Sequence, residues 1–249
     1  MMKRSDFPKP FTTCLVDINS EGAYADRGME KRCYPRLMPI PYGSIAPSEN
    51  NWVLEPWRKN MKLYPQIYFL LSHDTQVRNE DSCADCVLGI GMGLACSDDG
   101  IAQASPNPAV RDRFMCYWYS LYSNNAQLLG ENMVSGVNAR DLKLTIESPT
   151  LGKLVFDQAN LRFDPEEVVR EMNIIVPMRK YDLICLGAAD KPIDLTIDKK
   201  FQPGEVITLS CPELGKLEIT VDDQRDPNYV IPGWTPREFF LEPGYTGDI

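Results

Sequence analysis

Few side chains in this 249-residue sequence are spaced to do chemistry. His73 is the only histidine and stands in Ser72-His73-Asp74. A lone histidine beside an aspartate reads first as a surface-loop residue; as a general base it would be oriented by Asp74. One histidine and no Gly-x-Ser-x-Gly turn leave little room for a nucleophilic triad. Cys83-x-x-Cys86 has the spacing of half a zinc site, but no second pair follows. His73 and Cys96 could complete four ligands only by a coincidence of folding. Glycines alternate through Gly89–Ala95 with no Lys-Ser/Thr to end the run, so close strand packing is expected there and not a phosphate loop. Phe114–Tyr122 (FMCYWYSLY) is dense in aromatics. It suits core or dimer packing, or one wall of an organic-ligand pocket with Tyr119 as a substrate contact.

The elements that must carry these residues are mostly strands. Tyr181–Val221 holds three short apolar or alternating runs, Leu183–Gly187, Val206–Leu209 and Lys216–Val221. Pro203-Gly204 and Leu214-Gly215 supply turns between them, which predicts antiparallel pairing. Gln66–Ser72 reads as a buried strand, and Phe11–Ile18 as another. Leu142–Ile146 and Leu154–Phe156 read as a hairpin. Asp164-Pro165-Glu166-Glu167 predicts a helix start with a capping box, Phe163 and Val168 forming the hydrophobic staple, and an end near Met172.

Composition sets bounds. At 43% apolar residues the chain is long enough to bury a full core. A net charge of −9 disfavours nucleic acid and acidic membrane surfaces as partners. No apolar run reaches the ~18 residues of a membrane span, and the N-terminus lacks the apolar stretch of a secretory signal. A soluble cytoplasmic protein is expected. The eight cysteines are scattered and read as buried free thiols. Residues 1–63, rich in proline, are expected to form an irregular N-terminal cover, residues 64–221 the β-rich body, and residues 222–249 a tail that wraps the body or a partner subunit.

The segment Asp182-Leu183-Ile184-Cys185-Leu186-Gly187, followed by Phe201-Gln202-Pro203-Gly204-Glu205-Val206-Ile207 and Leu214-Gly215-Lys216-Leu217, resembles the C-terminal half of the fumarylacetoacetate hydrolase superfamily. The resemblance reaches back to about Gln66. It implies a β-rich α+β fold, a mixed β-sandwich roll with a few short helices, and a homodimer. In that family Mg²⁺ or Mn²⁺ is held by a Glu-x-Glu pair and a following aspartate, and the metal stabilises the enolate of a keto or diketo substrate. The corresponding positions here are Tyr64, Gln66 and Ala95. A family lysine falls near Leu121, and a threonine falls at Ala188.

The resemblance therefore implies a site emptied of carboxylates, with no metal or other cofactor. Mg or Mn would be retained only if other residues serve, such as Glu55 with Asp98 or Asp99. Tyr64 and Gln66 are the catalytic candidates that remain, with Cys96, Ser97, Tyr119, Asn124 and Asn125 as substrate contacts. The expected function is metal-independent isomerisation, cyclisation or C–C cleavage of a small enolisable carbonyl compound. A non-catalytic member binding a ligand or protein partner is the alternative, and an ordinary metal-dependent hydrolase or decarboxylase the next.

Overall fold

The structure, a computed structural model, describes residues 1–16, 19–26, 35–47, 51–98, 126–174 and 176–229. In chain order the strands begin with β1 (Met2–Lys3), β2 (Thr13–Val16), β3 (Leu37–Pro39), β4 (Ile45–Pro47) and β5 (Trp52–Leu54). The long strands β6 (Asn60–Leu71), β7 (Val87–Asp98) and β8 (Gln127–Val134) follow. Next come β9 (Lys143–Ser148) and β10 (Gly152–Asp157), then β11 (Leu183–Cys185), β12 (Ile193–Thr196), β13 (Val206–Cys211) and β14 (Gly215–Asp223). Two α-helices are described, α1 (Glu21–Asp26) and α2 (Pro165–Asn173).

These strands form two mixed sheets, the β-rich α+β roll expected. The larger runs β1-β8-β7-β6-β11-β2-β3, with β12 also paired to β6 and β4 to β8. The smaller runs β10-β9-β13-β14-β5. Alternation along β6 sorts its side chains. Met61, Leu63, Ile67, Phe69 and Leu71 join Ile90, Met92 and Leu94 of β7 in one buried cluster with Ile146, Leu209 and Ile219 of the smaller sheet. Tyr64, Gln66, Tyr68 and Leu70 take the other face. There Leu15, Met38, Ile40 and Ile45 from the first part of the chain cover Tyr68 and Leu70. The first part of the chain lends β1 to β4 to the larger sheet and β5 to the smaller.

The turns form as their residues dictate. Gly204 and Gly215 sit at φ +74° and +86°, where a side chain would be strained. Helix α2 begins with the expected capping box: the Glu167 N–H donates to Asp164 Oδ1 at 2.9 Å, and the Asp164 N–H to Glu167 Oε2 at 2.8 Å. The alternate glycines of β7 make room for neighbours. A Cβ on Gly91 would lie 2.4 Å from the Tyr68 ring, and one on Gly93 would lie 2.6 Å from Leu129. The aromatic run 114–122 and the tail from residue 230 lie outside the described residues. No helix among the described residues is long and apolar enough to cross a membrane.

Candidate functional site

The site forms where one edge of β6 loses its neighbour. β12 pairs with Asn60–Leu63 and β11 with Tyr68–Leu70, so β6 carries no strand on that edge between them. Pro65 falls in this interval, where a residue without an N–H is tolerated in an otherwise central strand. The loop from β11 to β12 passes over it. The Leu186 N–H donates to Ile67 O at 2.9 Å, and Gly187 at φ +69° turns the chain. Ala188 then meets Tyr64, Ala95 and Ala23 of α1 in a small buried cluster. Three positions read from separate stretches of sequence, Tyr64, Ala95 and Ala188, are therefore brought together.

Helix α1 is seated by buried polar contacts. The Asn19 side chain donates to Phe163 O and Leu186 O, both at 3.0 Å, and accepts from the Phe163 N–H at 2.9 Å. Ser20 Oγ accepts from the Ala23 N–H at 3.1 Å. A Cβ on Gly22 would lie 2.5 Å from Asp190 Oδ1 and 2.9 Å from Lys191 N, so the helix closes on the loop only with glycine there. Tyr64 is left 3% exposed.

Gln66 lies two residues along the same face. Its Nε2 donates to Gln127 Oε1 at 2.6 Å, and both side chains are fully buried. Gln66 Oε1 and Gln127 Nε2 have no hydrogen-bond partner. Rotating both amides exchanges the roles and again leaves one donor and one acceptor. Gln127 was missed from the sequence. The available signal was a glutamine inside the apolar run Ala126–Leu129, since polar groups are rarely buried without reason.

Other candidates lie apart. Cys96 follows Ala95 and so faces the opposite way, into the core between the sheets, where Arg58 Nη1 donates to its Sγ at 3.5 Å. Burial pushes the Cys96 thiol up to about 11 against the pull of Arg58, which makes it a neutral core thiol near pH 7. Ser97 is buried on the Ala95 face, opposite Lys62. Tyr119, Asn124, Asn125 and Leu121 lie outside the described residues. His73 Nδ1 meets Ser72 Oγ at 2.7 Å and Nε2 meets Ser82 O at 3.0 Å, while Asp74 instead accepts from the Lys180 N–H at 2.8 Å. The described cysteines are buried free thiols, Cys83 and Cys86 among them.

The residues at this site do not fit a divalent cation. Tyr64, Gln66, Ala95 and Ala188 offer no carboxylate, and hard cations require anionic oxygen ligands. Glu55 and Asp98 are committed elsewhere. Glu55 accepts from buried Arg58 Nε at 2.5 Å, and Asp98 accepts from the Lys59 and Asn60 N–H groups at 3.0 and 3.2 Å. No grouping of three or more His, Cys, Asp or Glu suited to a metal occurs among the described residues.

The fold is that of the fumarylacetoacetate hydrolase superfamily. No protein-family model matches the sequence, and no curated protein sequence matches it. Solved structures do. The 5-carboxymethyl-2-hydroxymuconate delta-isomerase of Mycobacterium smegmatis superposes with a TM-score of 0.66 at 13% identity, over 85% of this chain and 78% of that one. A provisionally assigned fumarylacetoacetate hydrolase family protein from Yersinia pestis CO92 gives 0.66 at 12%, over 87% and 95%. Maleylpyruvate hydrolase from Sphingobium sp. SYK-6, in complex with manganese(II) and pyruvate, gives 0.63 at 12%, over 88% and 72%.

Proposed function

We propose that this protein is a metal-independent enzyme of the fumarylacetoacetate hydrolase fold that acts on a small enolisable keto or diketo compound by isomerisation, cyclisation or C–C cleavage. In this reading it works in the cytoplasm as a homodimer. The observation that carries the proposal is the Gln66–Gln127 pair, with one donor and one acceptor buried and unsatisfied beside Tyr64. An enolised carbonyl compound offers the complement. Its carbonyl oxygen accepts from Gln127 Nε2, and its enol hydroxyl donates to Gln66 Oε1.

Tyr64 supplies a phenolic donor for the oxygen that gains charge as the enolate forms. A preorganised donor in a water-excluded site is worth about 2.7–4 kcal/mol of barrier. Satisfying each buried orphan amide group recovers about 1–3 kcal/mol, which favours binding. Admission of the ligand requires Ala23 and the first turn of α1 to move off Tyr64 and Ala188. Two structurally similar proteins are by name an isomerase of a hydroxymuconate and a hydrolase of maleylpyruvate, both small unsaturated acids, which agrees with this substrate class.

Acetylacetone, which is largely enolised, tests the reading. The wild-type chain is expected to bind it by calorimetry, and Tyr64→Phe and Gln66→Leu each to weaken binding about tenfold, the loss of one hydrogen bond. Absence of binding by the wild type sinks the proposal. A second reading, a non-catalytic binding protein, is favoured by the closure of Ala23 over Tyr64. Binding of keto acids and diketones without any turnover would select it.

A further inference from the structure

While Ala23 packs onto Tyr64, the two residues before it face elsewhere. Glu21 and Gly22 line a cavity of about 450 Å³ together with Ala159, Asn160, Leu161 and Arg162. That volume suits a small organic molecule. Arg162 Nε is buried there and has no hydrogen-bond partner, and among the described residues Arg162 forms no ion pair. The guanidinium carbon lies 5.4 Å from the centre of the Phe163 ring, a contact that orients the group while leaving its nitrogen edge unbound.

The backbone beneath Arg162 is held on both sides. Its N–H donates to Asn19 O at 2.8 Å, and its carbonyl accepts from Arg140 Nη2 at 2.8 Å. The nearby carboxylates of α2 serve a different cation: Arg140 lies 2.8 Å from Glu167 and 3.4 Å from Asp164. Arg162 thus borders the cavity on a fixed backbone, with no ion-pair partner among the described residues, and its guanidinium is a recognition group for an anion.

We propose that this cavity binds a small organic monocarboxylate through Arg162. The planar fork of the guanidinium matches two carboxylate oxygens. Glu21, on the same wall, selects the rest of the ligand. Its charge opposes a second carboxylate, so a monocarboxylate fits better than a dicarboxylate. The proposal does not rest on the reading of Tyr64 and Gln66, although both sites border the first turn of α1.

Thermal unfolding of the full chain in sodium lactate, against sodium chloride at equal ionic strength, tests it. Lactate is expected to raise Tm in the wild type and in Tyr64→Phe, and the rise is expected to vanish in Arg162→Gln. Half-saturation is expected to weaken at least tenfold in Arg162→Lys, which keeps the charge but not the fork and covers the case in which Arg162→Gln does not fold. Malate is expected to act more weakly than lactate on the wild type and to gain on Glu21→Gln. No rise over chloride in the wild type overturns the proposal, as does an undiminished rise in the Arg162 variants. Loss of the effect in Tyr64→Phe overturns it too, because the carboxylate would then sit at the other site.

Discussion

Gln66 on β6 and Gln127 on β8 are hydrogen-bonded at 2.6 Å although β7 runs between their strands. The bridge is possible because β7 presents only Gly93 and Ala95 beneath it, paired with Gln66 and Tyr64 on one side and with Leu129 and Gln127 on the other. Removing one partner isolates the other in a dry setting. Gln66→Leu is expected to cost about 1–3 kcal/mol, and Gln66→Leu/Gln127→Leu to recover most of that. A double-mutant cycle by urea unfolding checks this; simple additivity would show that the amides are not coupled.

The glycines of β7 set the depth of the outer face. Tyr68 lies across Gly91 and donates its hydroxyl to Gly130 O at 2.6 Å. Gly91→Ala is expected to destabilise by about 1–3 kcal/mol through overpacking. Tyr68→Leu in the Gly91→Ala background is expected to return part of that loss, measured again as an unfolding midpoint.

Arg225 is buried and forks onto Asp223, with Nε to Oδ1 at 2.8 Å and Nη2 to Oδ2 at 2.7 Å; its remaining protons reach the carbonyls of Leu195, Thr196 and Lys199. Burial works to raise the Asp223 carboxyl, but Arg225 and the Phe201 N–H outweigh it and hold the group below its ordinary value. Glu205 is likewise opposed by burial and held low by the Gln202 and Thr150 N–H groups. Depressed carboxylates stabilise fully above the unfolded-state value of about 4 and lose that contribution as pH falls through the lower folded-state value. Stability is therefore expected to fall below about pH 4. Asp223→Asn is expected to cost about 3–5 kcal/mol at pH 7, by leaving Arg225 buried without its countercharge, and to flatten the acid limb of a stability–pH profile.

The misfit to a cation predicts its own reversal. Tyr64→Glu/Gln66→Glu/Ala95→Asp gathers three carboxylates on one face of β6 and β7. Without metal the variant is expected to unfold at a lower temperature than the wild type, because like charges are buried together. Manganese is expected to restore that loss and to bind with a calorimetric signal lacking in the wild type. A variant indifferent to manganese would mean that these side chains do not share one site.

Much of this was legible in order along the chain. The capping box at Asp164 and Glu167, the β9–β10 hairpin and the Pro203-Gly204 turn follow from local rules, because each depends on residues a few positions apart. The positions of Tyr64, Ala95 and Ala188 could also be found, since each sits in a recognisable stretch. Two site features could not be found that way. Gln127 gains meaning only because β8 lies one strand beyond β7 and in this register. Arg162 gains meaning only because Asn19, far away in sequence, pins its backbone beside α1.

Cys96 marks the boundary between the two kinds of knowledge. Alternation alone says that it and Ala95 face opposite sides, but not which side is core and which is site; the second sheet settles that by packing on the Cys96 face. The sequence by itself determined that the chain folds as this roll without carboxylates at Tyr64, Gln66 and Ala95, because side-chain chemistry and short-range periodicity are written residue by residue. Only the tertiary structure decided that two glutamines share one hydrogen bond and that Arg162 borders a cavity. Burial and partnership are properties of pairs of distant segments, and no single stretch contains them.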